Sequence, residues 1–234
     1  MQTGKQTRRP AVPPLLLLAV FLVHWLNIPH LPSAWAQPAQ QVPVAGADAE
    51  HDRLAQALRN GGVVVLLRHS ATLPGTGDPP GFRLDDCPTQ RNLSDPGRAQ
   101  AGRIGQWFRQ HGLEPTAVKA SPWCRTRETA TLAFGRSQDW TALSNLLGDR
   151  SRQDEHARQV LEAIARIGPS DLEVLVTHGV TINAFIGEYL QQGEMVVVRP
   201  AARKGSASAS ASARPEAADG SGREIEVVGR LLVP

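Results

Sequence analysis

The chain has 234 residues, so a single domain is the default and two small domains are the alternative. Its formal net charge is +3, but three of its 25 basic residues lie among the first 36 residues, where there is no acidic residue. The rest of the chain carries 22 residues of each sign, which is not the charge pattern of a nucleic-acid-binding protein.

Residues 1–36 have the order of a secretory signal peptide. A basic start precedes an apolar run at residues 15–23, and the small-x-small pattern of residues 34–36 follows. We expect cleavage after Ala36, a secreted or periplasmic mature protein and no stable membrane span after cleavage. An uncleaved anchor is the alternative, although the apolar run is short and prolines follow it at residues 29 and 32.

The mature chain is expected to begin with a flexible, Pro- and Gln-rich lead-in at residues 37–49. One domain then spans residues 50–234. Within it, residues 200–223 are rich in Ser, Ala and Gly and contain no large apolar residue, so they predict a disordered loop.

Apolar runs alternate with amphipathic segments along this domain. A helix at residues 50–59 precedes an unbroken run at residues 63–67, which is typical of a strand buried on both faces. Residues 117–120 and 172–176 predict further strands, and 194–199 with 225–232 predict a C-terminal strand pair. The pattern predicts an α/β fold, a three-layer sandwich with a mostly parallel central sheet flanked by helices.

Charged and titratable residues follow three of these strands. Arg68 and His69 end the first run, Arg125 follows the second, and His178 follows the third. Successive strand ends of a parallel sheet meet at one edge, so these four side chains are expected to converge. Two guanidiniums and two imidazoles suit a dianionic phosphoryl group. Four unrelated polar residues are the alternative.

Four ordered segments resemble the motifs of the histidine phosphatase superfamily, in its phosphoglycerate-mutase-like branch. They are Arg68-His69-Ser70-Ala71-Thr72, then Leu93-Ser94 with Gly97, Gln100 and Ala101, then Ser121-Pro122 with Arg125, Thr129 and Ala130, and finally Thr177-His178-Gly179. Together they span residues 61–190. Ser70 stands where the family usually has Gly.

The resemblance implies a metal-independent phosphatase without a cofactor, in which His69 becomes phosphohistidine. It implies that Arg68, Arg125 and a protonated His178 bind the phosphoryl group, and we expect Thr72 to contribute. The segment after Phe134 is short for a mutase, which favours a small phosphatase.

The proton donor for the leaving group is not identified by the motifs. Asp149 and Asp86 are candidates, among other acidic residues. Since the donor is missing from the pattern, an exported phosphate- or anion-binding protein without catalysis is the alternative function. The histidine spacing matches no zinc motif, so a metal-binding role is disfavoured.

Cys87 and Cys124 are the two cysteines of the chain. In an oxidising compartment we expect them to pair, which would tie the long loop at residues 73–87 beside Arg125. Two reduced thiols, or a redox-active one, are the alternatives. The expected partner is a small phosphate ester or a phosphorylated envelope component, and the sequence does not choose between them.

Overall fold

A computed structural model describes residues 45–201 and 225–233 of the chain. The predicted signal peptide, most of the lead-in and nearly all of the predicted disordered loop lie outside these residues. Across the described ranges, no helix is both long enough and apolar enough to cross a membrane.

A six-stranded mixed sheet forms the centre of the fold. Its strands are β1 (Val63–Arg68), β2 (Ala117–Ala120), β3 (Gln138–Asp139), β4 (Leu172–Thr177), β5 (Glu194–Pro200) and β6 (Ile225–Leu232). The order across the sheet is β3-β2-β4-β1-β5-β6. The first four strands in that order run parallel, whereas β5 and β6 pair antiparallel at the end.

Five helices pack on the sheet: α1 (Ala45–Asn60), α2 (Asp95–Gln110), α3 (Cys124–Phe134), α4 (Gln153–Ala165) and α5 (Gly179–Ile186). Apolar side chains of α1, α2 and α3 share one buried cluster with one face of β1 and β4. Those of α4 and α5 share a second cluster with the opposite face. The predicted α/β three-layer sandwich with a C-terminal strand pair is confirmed.

The central strands are buried because both of their faces are covered. The five residues of the run at the start of β1 are at most 2% exposed, and alternate residues along the strand enter opposite clusters. An unbroken apolar run is therefore what this position requires. The antiparallel pairing of β1 with β5 completes the ladder on its other side.

Two expectations drawn from the local sequence are wrong. Residues 140–143 suggest a short strand by their sequence, but a short 3-10 helix covers Thr141–Leu143 and the short strand β3 precedes it. The charged residues next to His156 in the sequence suggest that it is solvated, but it is only 3% exposed. The helical period turns its ring to the sheet side of α4 while those charged neighbours stay outside.

Candidate active site

The ends of β1 and β4 bring two histidines together. The strands are parallel neighbours, and Arg68 at the end of one pairs with Thr177 at the end of the other. His69 and His178 follow directly, both 2% exposed, with ring centroids 5.4 Å apart in an edge-to-face arrangement. Two residues separated by more than a hundred positions are thus side by side because of the strand order.

The hydrogen bonding of His69 determines which of its ring nitrogens is available. Its Nδ1 lies 2.8 Å from the carbonyl oxygen of Ser70, which can only accept, so Nδ1 carries the proton. Nε2 of the neutral ring then keeps its lone pair. Burial, together with the charge of Arg125, lowers the pKa of His69 to about 3 and keeps the ring neutral.

Arg125 reaches the same place from the next strand. β2 lies beside β4, and α3 starts four residues after β2 ends, so Arg125 occupies the first turn of that helix. The side chain is 1% exposed. Its positive charge contributes to the lowered pKa of both histidines. The pKa of Arg68 is lowered mainly by burial, then by the charge of Arg91, and then by that of Arg125. The structure therefore brings the four predicted residues into one cluster.

Ser121 holds the second histidine in place. Its Oγ lies 2.8 Å from Nε2 of His178, and both side chains are buried. Burial, followed by the charge of Arg125 and the electrostatic interaction with His69, lowers the pKa of His178 well below its usual value. The ring is therefore neutral in this structure, which differs from the protonated form that we expected. If the Ser121 hydroxyl donates to Nε2, the ring proton lies on Nδ1; if the hydroxyl accepts, the proton lies on Nε2.

Arg91 is a third guanidinium that the sequence reasoning missed. Its charge contributes to the lowered pKa values of Arg68, Arg125 and both histidines. Its Nη1 donates to the Gly75 carbonyl of the loop after β1. The residue follows a short 3-10 helix and no strand, so strand-end reasoning could not find it. The one available signal is its position two residues before the Leu93-Ser94 motif.

Several donors in this cluster have no acceptor among the described residues. They are the buried Nε atoms of Arg68, Arg91 and Arg125, and the buried Nδ1 of His178 has no partner there either. Burial and the charges of Arg91 and Arg125 also lower the pKa of Arg68, which shows that cations are crowded together here. Buried donors and crowded positive charge are the conditions under which an oxyanion is bound strongly.

The remaining predicted residues lie in different surroundings. The Thr72 hydroxyl accepts a hydrogen bond from the Gln192 side chain at 3.1 Å. The Asp86 carboxylate pairs with Arg83 within the loop. Asp149 is exposed and accepts from the Ser151 backbone at 2.9 Å, and its hydrogen bonds to Ser151 lower its pKa. Both acids are thus used in local contacts of their own segments.

A disulfide joins Cys87 to Cys124, with Cα atoms 5.7 Å apart. It links the end of the loop after β1 to the first residue of α3, directly before Arg125. The Cys124 backbone N–H is held as well, since it donates to the Gln90 side chain at 2.9 Å. The expected pairing is therefore present, and it fixes the loop beside the cationic cluster.

No family model matches the chain, and no curated protein matches it. Solved structures that resemble it include a protein named SixA from Agrobacterium tumefaciens, at 19% identity over 59% of this chain and 92% of that one, with a TM-score of 0.43. A phosphoserine phosphatase from Entamoeba histolytica is similar at 14% identity over 58% and 89%, with a TM-score of 0.44. A mycobacterial glucosyl-3-phosphoglycerate phosphatase is similar at 18% identity over 59% and 90%, with a TM-score of 0.42. At such values the likeness does not carry an activity over to this chain.

Proposed function

We propose that this protein is a phosphomonoester hydrolase of the histidine phosphatase type. The observation that carries the proposal is the state of His69. Its Nδ1–H is fixed on the Ser70 carbonyl, which leaves an unprotonated Nε2 inside a cluster of three guanidiniums. A neutral imidazole with one free lone pair is a nucleophile, and the surrounding cations attract its phosphorylated substrate.

The reaction has two steps. Nε2 of His69 forms a bond to phosphorus while the bond from phosphorus to the leaving oxygen breaks. An aryl oxide departs as the anion and takes its proton from solvent, whereas an alkoxide needs a proton from an acid as it leaves. Water then attacks the phosphohistidine, the phosphorus–nitrogen bond breaks, and inorganic phosphate leaves with His69 restored. In the transition state of each step, negative charge is spread over the three equatorial oxygens of the phosphoryl group. Positively charged groups in fixed positions stabilise that charge.

The unpartnered donors supply that stabilisation. The buried Nε–H groups of Arg68 and Arg125 are available to phosphoryl oxygens, and so is Nδ1 of His178 in the tautomer that carries its proton there. These groups are held before substrate arrives: Arg68 Nη1 donates to the Leu190 carbonyl at 2.6 Å, and Ser121 holds His178 at 2.8 Å. Donors that need no reorganisation are the most effective ones in phosphoryl transfer.

The direct test is hydrolysis of an aryl phosphate by the purified mature chain. His69→Ala is expected to reduce turnover to background, whereas His51→Ala, at a partly exposed position on α1, is the matched control and keeps it. Brief reaction with radiolabelled substrate, followed by alkaline quenching, is expected to trap acid-labile label on the wild-type protein. Turnover that survives His69→Ala would contradict the proposal.

A non-catalytic anion-binding protein is the second candidate, and the surroundings of the two candidate acids favour it. Asp86 is paired with Arg83, and Asp149 is exposed. An aryl oxide leaves without protonation, but an alkoxide requires an acid. Calorimetric binding of inorganic phosphate without turnover of either an aryl or an alkyl phosphate would select this candidate. Turnover of both would show that a proton donor is present.

We further propose that the protein works outside the cytoplasm on a small phosphate ester or a phosphorylated envelope component. The disulfide between Cys87 and Cys124 supports this, because disulfides persist mainly in oxidising compartments. Fractionation of cells that produce the full chain tests the location, and a screen of phosphorylated metabolites tests the substrate. Full-length protein confined to the cytoplasm would contradict the location.

A further inference from the structure

Asp78 is a buried carboxylate from the loop after β1, and it pairs with Arg125. Arg125 Nη1 lies 2.7 Å from Oδ1 of Asp78 and Nη2 lies 3.2 Å from Oδ2, with side chains 1% and 3% exposed. Two further donors complete the set, the Arg91 backbone N–H at 3.0 Å and the Trp123 indole N–H at 3.0 Å. Each carboxylate oxygen therefore accepts two hydrogen bonds.

The protonation of Asp78 follows from these contacts. Burial alone would raise its pKa, but the hydrogen bonds and charge of Arg125, with those of Arg91 N–H and Trp123, outweigh burial and lower the pKa. The carboxylate is therefore ionised at neutral pH. This makes it unsuited to protonate a leaving group and well suited to hold a cation.

The ion pair with Asp78 occupies one edge of the Arg125 guanidinium and leaves a second edge available to a ligand. A guanidinium presents five N–H donors in a planar fork, and Asp78 takes the end formed by Nη1 and Nη2. The Nε–H and the second proton of Nη2 lie along the adjacent edge. Nε is buried there without an acceptor in the described part of the chain. That edge has the two-donor spacing that binds a phosphoryl group bidentately.

With both histidines neutral, the Asp78 carboxylate offsets one of the three guanidinium charges of the cluster, and Glu194 acts on Arg68 as a further anion. The cluster keeps a net positive charge, which suits a phosphoryl group. The pair therefore limits positive charge in a place where burial already lowers the pKa of Arg68 and Arg125.

We propose that Asp78 is a positioning residue for the phosphate site: it fixes Arg125 through its Nη end, so that the Nε edge binds the phosphoryl group. The proposal rests on the proposed function for the identity of the ligand. The alternative is that the Asp78 carboxylate occupies the phosphate position on Arg125, so that phosphate has to displace it in order to bind. Displacement would break four hydrogen bonds and strand a buried carboxylate, whereas the free edge of Arg125 needs no displacement.

The two readings predict opposite effects of Asp78→Asn on the binding of inorganic phosphate, measured by calorimetry. An amide group offers Arg125 one acceptor in place of two, so a positioning role predicts weaker binding by about 10- to 100-fold, the size of loss that misplaced polar groups cause. Tighter or unchanged binding would overturn the proposal. Asp95→Asn, which breaks an exposed pair with Arg98, is the matched control and leaves the affinity unchanged.

A double-mutant cycle with Arg125→Lys separates positioning from general damage to the fold. If Asp78 acts through Arg125, then Asp78→Asn is expected to change phosphate affinity little once Arg125 is Lys, because the two-point pairing is already lost. Fully additive losses would contradict a role through Arg125. Since binding is measured, a wild-type chain that binds phosphate without hydrolysing it would remove the phosphatase proposal and leave this one testable.

A measurement on the wild-type protein covers the case in which Asp78→Asn does not fold. In NMR titrations with inorganic phosphate, the Arg125 Nε–H resonance is expected to shift while the carboxyl carbon resonance of Asp78 stays in place. A large shift of that carbon resonance, with the Arg125 Nε–H unchanged, would show displacement of the carboxylate and overturn the proposal.

Discussion

Three glycines of helix α2 have different surroundings, and this difference gives a sharp test of how the helix holds the site. A Cβ built on Gly97 would lie 1.8 Å from the carbonyl oxygen of Ala71, two residues after His69. A Cβ on Gly105 would lie 2.1 Å from the carbonyl oxygen of Ala133 in α3. A Cβ on Gly102 would meet no atom within 4 Å.

The size of each effect follows from these distances. Carbon and carbonyl oxygen normally approach to about 3.3 Å, so Gly97→Ala must move α2 away from Ala71 by roughly 1.5 Å. Overpacking of this kind typically costs about 1–3 kcal/mol of unfolding free energy. Because Ala71 is so close to His69, a shift of about 1 Å there is expected to reduce kcat/KM by about 100-fold.

The other two glycines serve as controls in the same helix. Gly105→Ala is expected to lower the unfolding free energy by a similar amount but to keep most of the wild-type kcat/KM. The added methyl group would clash with α3, away from the residues that follow β1. Gly102→Ala is expected to gain roughly 0.5–1 kcal/mol, the ordinary effect of Ala for Gly inside a helix. Urea unfolding and aryl phosphate hydrolysis measure both quantities.

A Gly97→Ala variant as stable and as active as Gly102→Ala would show that the close contact of α2 with Ala71 does not position the site. Equal losses of kcat/KM in Gly97→Ala and Gly105→Ala would lead to the same conclusion, because activity would then follow stability alone. The expected pattern requires the packing of α2 on Ala71 to position the catalytic segment directly. The Ser94 backbone N–H, which donates to the same Ala71 oxygen at 3.0 Å, makes that coupling tighter.

Three further predictions concern the disulfide, the acid response and Ser121. Replacing Cys87 and Cys124 by Ser together is expected to lower the free energy of unfolding in urea by about 4 kcal/mol, from loop closure over a separation of 37 residues; an unchanged midpoint would contradict this. The pKa of His69 is about 3 in the folded chain against 6.5 for an exposed ring, so the unfolded chain binds more protons between these values. Stability measured in urea is therefore expected to be full above pH 6.5 and to fall as the pH decreases towards 3; His69→Asn should reduce this slope, and an identical slope would refute the assignment. Ser121→Ala is expected to lower kcat by about tenfold, because His178 loses the hydrogen bond that fixes its tautomer; a loss in unfolding free energy with unchanged kcat would show that Ser121 acts only in packing.

The sequence predicts the strand-end residues well because the topology leaves them little freedom. An apolar run such as residues 63–67 has to be covered on both faces, and parallel neighbours then place Arg68 and Thr177 in register. Ser94, followed by Asp95 and Pro96, has the sequence of a helix N-cap, and the structure confirms it, since its Oγ accepts from the Gly97 N–H at 3.2 Å. In both cases the local sequence pattern is compatible with only one local structure.

His156 shows where such reasoning fails. The residues around it in sequence are charged, but the helical period places its ring on the apolar side of α4 among buried side chains. Both of its ring nitrogens are buried without an acceptor or donor among the described residues. Burial, with the charge of Arg152, accordingly lowers its pKa. Neighbours in sequence are a poor guide to the environment of a residue on a helix edge.

Asp78 and Arg91 could not be predicted for a different reason. Their segment has no periodicity, so no pattern states where it returns to the sheet, and the disulfide that anchors it constrains only its far end. Their roles exist because the loop passes over α3: Asp78 then meets Arg125, and the Arg91 backbone N–H meets Asp78. Strand ends alone bring together two arginines and two neutral histidines. The loop adds one cation and one anion, so it leaves their summed charge unchanged. Its contribution is to hold Arg125 in one orientation and to place a further guanidinium beside the site.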